Sequence, residues 1–189
     1  MTPTRVLRTA TLALLALLLA ACTTLGAVGA LLGNELVFTA PQLQGYLDRR
    51  FPRDYRELGG AVSLSLLNPR LSIPQGQSRL RLDFDVGIGA LGRDSRTPSG
   101  RFALTSALRY DPGTRGLHLM DPAIEHVDVP ALGGAMNGAA RTALNRWLVD
   151  YAREEPVYRF DDSLIGRLGS RRIAGTQIDS GRVVVHLGQ

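Results

Sequence analysis

The sequence predicts an α+β fold, an antiparallel meander of strands lined by one long helix, and three observations carry that reading. Apolar residues recur at every second position between residues 61 and 129, the pattern of strands with one dry and one wet face. Turn-forming clusters divide that stretch into four parts. Between 131 and 154 the apolar period then becomes helical. The chain has 189 residues with 44% hydrophobic content, which fits a single domain and excludes a large multidomain enzyme.

In chain order, Arg5 and Arg8 precede an apolar run at residues 12–19, too short for a stable membrane span and typical of a secretory leader. Residues 1–21 are therefore expected to be a signal peptide. Residues 22–34 are small and apolar, with Gly26, Gly29 and Gly33, and are expected to form a short tether. One domain follows over residues 35–189. Thr39 and Gln42 have capping-box spacing with Pro41 in the first turn, so a helix is expected from there to about Arg50, with Leu43, Tyr46, Leu47 and Phe51 on one face.

The clearest strand is residues 79–86, where Leu80, Leu82, Phe84 and Val86 alternate with charged residues. Val62, Leu64 and Leu66 form an earlier strand; Phe102, Leu104, Leu108 and Tyr110 a later one; Leu117 and Leu119 open a fourth. Turns are expected at Pro74-Gln75-Gly76, at residues 96–100 and at Asp111-Pro112-Gly113. In the fourth strand Val127 and Val129 keep the odd-numbered face and Ile124 does not, so a bulge or kink is expected after Asp121-Pro122.

Residues 131–154 carry Leu132, Met136, Leu144, Trp147, Leu148 and Tyr151 in one wide stripe. At about 1.5 Å per residue this helix would run roughly 35 Å, enough to line a four-stranded sheet. Pro156 ends it, a short helix is expected over 161–168, and residues 182–187 form a closing strand after the Asp179-Ser180-Gly181 turn.

All 22 basic residues are arginine, set against 17 acidic residues, for a formal charge of +5. Beyond Arg5 and Arg8 the balance falls to 20 against 17, or +3. With no basic run interleaved with aromatics, a nucleic-acid partner is not expected. The sole cysteine, Cys22, follows Leu19-Ala20-Ala21, which resembles the lipobox of bacterial lipoproteins. The resemblance implies that Cys22 is acylated and becomes the mature N-terminus. Two or three acyl chains anchor stably where one does not. Thr23, standing where an aspartate would favour the inner membrane, implies outer-membrane sorting with the domain facing the periplasm.

The order of parts is similar to the YceB-like bacterial lipoproteins, a family of unknown function related to the tubular lipid-binding folds. The similarity spans roughly residues 35–187 and rests on the lipobox, on residues 39–47, and on Trp147-Leu148 through Pro156-Val157-Tyr158. It implies a strongly curved antiparallel sheet, the four-strand meander plus the closing strand, wrapped around the long helix with an interior that takes up lipid. The candidate lining is Met136, Leu144, Trp147, Leu148 and Tyr151 from the helix, with Phe84 and Phe102 from the sheet. The family supplies no catalytic residues.

Other chemistries have less support. Residues 87–92 match G-x-G-x-x-G, but the next residues read as more turn, whereas a dinucleotide site needs a helix to begin there. His118, Asp121, Glu125, His126 and Asp128 are the only cluster suited to metal or acid/base work, and they lack a zinc set; solvated residues on a strand's outer face are the simpler expectation. No G-x-S-x-G elbow is present. Neither an enzyme, a cofactor nor a metal is expected. The reading is a membrane-anchored lipoprotein binding a lipid or other hydrophobic ligand; the alternative is an envelope scaffold whose arginine-rich outer sheet face, including Arg79 and Arg81, meets a protein partner.

Overall fold

A computed structural model describes residues 30–57, 62–90, 96–130, 145 and 148–189. Its elements are strands β1 (Ala30–Leu32) and β2 (Glu35–Thr39), helix α1 (Ala40–Asp48), and strands β3 (Arg53–Glu57), β4 (Val62–Ser72), β5 (Leu80–Ala90), β6 (Gly100–Asp111) and β7 (Gly116–Asp128). A helical segment at residues 148–154, α2, leads to β8 (Tyr158–Arg159), α3 (Asp162–Leu168), β9 (Arg172–Asp179) and β10 (Arg182–Gly188).

The architecture is α+β, with a strongly curled antiparallel sheet shaped as a half-barrel. That sheet has six strands in the order β3-β4-β5-β6-β7-β8, so the meander β4 to β7 pairs in sequence, as alternation predicts. Leu80, Leu82, Phe84 and Val86 of β5 are all buried, and so are Phe102, Leu104 and Leu108 of β6. Charged residues fill the other face of β5, where Arg70 meets Asp85 at 3.0 Å and Arg81 meets both Asp83, at 2.9 Å, and Glu125.

The curl has identifiable causes. Between β6 and β7 the pairing slips twice: Thr105 faces Ala123 while Ala107 faces Met120, and Ala103 faces His126 while Leu104 faces Ile124. Each slip places one extra residue in β7 and reverses the parity of its dry face. Leu117 and Leu119 are therefore buried on odd numbers, Ile124 packs inward on an even one, and Val127 returns to odd. Asp121 has φ 49°, and the Arg79 guanidinium donates to its carbonyl and to that of Thr105, at 3.1 Å for the latter, pinning the bend. A third slip, where Leu67 faces Asp85 and Arg70 faces Asp83, sits at Asn68-Pro69 in β4. Proline has no N–H for a ladder, and a bulge is one of the few places a strand accepts it.

The closing strand does not complete the meander as expected. β10 lies in a second, four-stranded sheet of order β1-β2-β10-β9, pairing Val183 with Phe38 and with Ile178. Strands β1, β2, β3 and β9 carry little alternation and are not apparent from sequence. β1 falls inside the segment read as a tether, so sheet pairing begins before residue 35. The two sheets meet through aromatic rings: Phe38 lies 5.0 Å from Tyr158 and 5.5 Å from Phe160, Tyr46 lies 5.3 Å from Tyr158, and Tyr110 stacks on Phe160 at 5.4 Å. Such pairs contribute about 0.5–1.5 kcal/mol each beyond the area they bury.

The helices begin where capping chemistry places them. At α1 the Gln42 side-chain carbonyl accepts from the Thr39 N–H at 2.8 Å, Pro41 occupies the first turn, and Leu43 and Leu47 are buried. Asp161 caps α3 by accepting from the Leu164 N–H at 2.7 Å. Gln44 of α1 spans the β4 bulge. Its amide donates to the Pro69 carbonyl at 2.6 Å and accepts from the Leu71 N–H at 2.7 Å, satisfying backbone groups of β4 beyond Leu66, where pairing with β3 has ended. We expect Gln44→Ala to lower the unfolding free energy by about 1–2 kcal/mol, since a buried hydrogen bond contributes about 1 kcal/mol net and orphaned groups cost more. Urea unfolding checks this: the midpoint should fall with the slope unchanged.

Candidate functional site

The residues expected to line a ligand site can be placed in part. Phe84 and Phe102 are buried on adjacent strands of the half-barrel with ring centroids 6.1 Å apart, and Phe51 sits 5.3 Å from Phe84. Leu148, 1% exposed, and Tyr151 come from α2. All four expected residues border one void, together with Leu119 and Val157 among others. Alternation explains the two phenylalanines, and helical spacing brings Leu148 and Tyr151 to the same side. Met136, Leu144, Trp147 and the acylation candidate Cys22 lie outside the described residues.

The void measures about 10 Å³. A single water needs roughly that much space, and a drug-sized ligand needs some 300 Å³ or more. Packing therefore closes this end of the interface between α2 and the sheet. The hydroxyls beside it are held neutral: burial pushes Tyr151 up, and burial, opposed by Arg53, pushes Tyr55 up to about 12. The Arg53 guanidinium grips both carboxylate oxygens of Glu155, at 3.2 and 3.0 Å, tying β3 to the chain just after α2. Such a fork holds both planes in register, as a single ammonium could not.

His118 departs from its expected place. Strand alternation places it in solvent on the outer face, yet it is fully buried. Its Nδ1 lies 3.1 Å from the Ala152 carbonyl oxygen and its Nε2 lies 2.6 Å from the Thr114 hydroxyl. A carbonyl can only accept, so Nδ1 carries the proton and Nε2 accepts from Thr114. Ala152 stands in the last turn of α2, where carbonyls lack helical partners, and His118 satisfies one of them. Thr114 is positioned in turn by Asp111, whose carboxylate accepts from the Gly113 and Thr114 N–H groups at 2.8 and 3.1 Å. Those contacts, the Thr114 N–H first, hold the Asp111 carboxyl below its ordinary range. Gly116 completes the corner: a side chain there would meet Pro156 at 2.5 Å. His118 is thus a helix-end anchor and not part of a cluster with His126, which is exposed.

Among the described residues no group of three or more His, Cys, Asp or Glu side chains converges on a point that would hold a metal. No helix among them is long and apolar enough to cross a membrane. Gly87 to Ala90, the start of the glycine motif, belong to β5, so the strand continues where a dinucleotide loop would have to begin. The outer-face arginines considered for partner contact are engaged within the chain, Arg79 by two backbone carbonyls and Arg81 by Asp83 and Glu125. A wider cavity of about 730 Å³, which the sequence reading missed, opens between β6 and β9. Comparison with known proteins finds no matching family model and no matching curated protein.

Burial pushes His118 below its ordinary value, and that direction sets a pH dependence. The unfolded chain, with a histidine pKa of about 6.5, then binds more protons than the folded one in mildly acidic solution. The contribution of neutral His118 is complete above about pH 6.5 and declines as the pH falls below it, towards the lower folded value. His118→Asn keeps a donor near the Nδ1 position and removes the titration. We expect thermal melts between about pH 7.5 and 5 to show a smaller loss of stability in the variant than in the parent chain. Equal slopes would show that His118 does not titrate across unfolding.

Proposed function

We propose that this chain is an acyl-anchored envelope lipoprotein, akin to the YceB-like family and its lipid-binding relatives, that encloses a hydrophobic ligand between the long helix 131–154 and the curled sheet. Cys22 would carry the acyl chains, and the domain would face the periplasm from the outer membrane. The observation that supports the reading is that Phe84, Phe102, Leu148 and Tyr151 share one apolar surface on the inside of the curled sheet. Residues drawn from two strands and a helix meet on the inside of the curled sheet. Packing at Leu148 and Tyr151 is tight, so on this reading Met136, Leu144 and Trp147 would be the residues of the stripe that hold the ligand.

The same tight packing favours a second reading. A void of about 10 Å³ is what a filled core leaves, and a filled core would suit an envelope scaffold with a protein partner. Two measurements separate the possibilities. Cells given labelled palmitate should label the full chain and leave Cys22→Ser unlabelled; label retained in that variant would remove the anchor from the account. Solvent extraction of the purified full chain, followed by mass spectrometry, should release a lipid that is absent from Leu144→Asp although that variant melts cooperatively. A parent chain that yields no extractable lipid would leave the scaffold reading in its place.

A further inference from the structure

The cavity of about 730 Å³ lies apart from the interior just described, at the seam between the two sheets. It exists because β5 stops short. Leu80 pairs with Ser106, so beyond that point β6 has lost its neighbour while its pairing with β7 continues to Asp111. β9 is the outer strand of the second sheet, and it approaches this free edge without forming a ladder with it. The two touch where the Thr176 hydroxyl donates to the Leu108 carbonyl at 2.5 Å. The remaining gap is a groove with an apolar floor. Leu108 and Leu168 are buried there, and Met120 is 39% exposed, one of the large apolar side chains open to solvent.

The groove's charge is one-sided. Arg109, Arg115, Arg171 and Arg172 line it, and among the described residues no aspartate or glutamate does. Arg109 and Arg115 have carboxylate partners, Asp111 and Asp162. Arg171 donates to the carbonyls of Gly33, Arg167 and Leu168, and among the described residues no ion pair involves Arg171 or Arg172. An apolar trough of this volume with such guanidinium groups complements a molecule with an apolar chain and an anionic head.

We propose that the seam between β6 and β9 is a binding groove for an anionic single-chain amphiphile of the long-chain carboxylate class, its chain along Leu108, Met120 and Leu168 and its head on Arg171 and Arg172. The site is separate from the helix-facing interior and does not depend on the reading of that interior. A guanidinium holds a carboxylate through two parallel N–H donors, so the head group supplies selectivity and the chain supplies most of the affinity.

The test is photocrosslinking of the purified full chain in non-ionic detergent with a diazirine fatty acid, in parallel with the fatty alcohol of the same chain, and mapping of the labelled peptides. The fatty acid should label peptides that carry Met120 and residues 165–176, laurate should compete, and the alcohol should label them at least about tenfold less. Arg172→Glu should reduce acid labelling about tenfold and leave alcohol labelling unchanged, Arg172→Lys should restore part of it, and Met120→Asp, at an exposed position, should weaken both. Equal labelling by acid and alcohol, or undiminished acid labelling in Arg172→Glu, would overturn the proposal. Label confined to peptides around Phe84, Phe102 and Leu148 would also overturn it, while supporting a ligand in the interior.

Discussion

Everything in this fold follows from the need to bend a sheet whose dry face is continuous over four strands. A flat meander of β4 to β7 would leave Leu82, Phe84, Phe102 and Leu104 facing a surface too broad for a single helical segment to cover. Three register slips, two in β7 and one at Asn68-Pro69 in β4, add twist and curl, so that the dry face becomes the inside of a half-barrel. The slips remove ladder bonds and would leave polar backbone unpaired. Arg79 and Gln44 bind backbone groups beside two of these slips, one with a guanidinium and the other with a side-chain amide.

Closure of the half-barrel depends on a short stretch after the long helical pattern. α2 ends over His118, the Arg53 fork holds Glu155, Pro156 packs on Gly116, and the backbone then runs beside the start of β7, the Val157 N–H donating to the Leu117 carbonyl and the Phe160 N–H to the Arg115 carbonyl, each at 2.8 Å. Tyr158 and Phe160 carry this closure into the second sheet through their rings. One segment of six residues therefore links the helix, the half-barrel and the four-stranded sheet. Apolar burial supplies most of the stabilisation, at roughly 25 cal/mol per Å², and the polar contacts fix where the segment lies.

What was legible in the sequence was what a period can express. β4 to β7 stood out because one face is dry and the other wet, and the first slip in β7 was visible as the parity change at Ile124. β9 was not visible: along Arg172–Asp179 only Ile178 is buried, so no alternation of dry and wet positions marks the strand. β3 is a charged edge strand, and β2 buries Leu36, Val37 and Phe38 in succession, with no alternation to read. His118 was misplaced for a related reason. Its neighbours Leu117 and Leu119 claim the dry face, so sequence logic sends the histidine outward, and only the arrival of α2 from 34 residues further along the chain buries it. The apolar residues around the closed end were identifiable; the arginine-lined seam was not, because it arises from two strands failing to pair.

The central claim is that the segment after the long helical pattern belongs to the same cooperative core as the curled sheet. Native-state hydrogen exchange at the Val157 and Phe160 amides, compared with the buried ladder amides of β5, tests it most directly. The account predicts that all of them exchange only through global unfolding, with the same free energy of opening and the same denaturant dependence. Opening of Val157 and Phe160 at a much lower free energy, while β5 stays protected, would contradict it, because the half-barrel would then be stable without the segment held to close it.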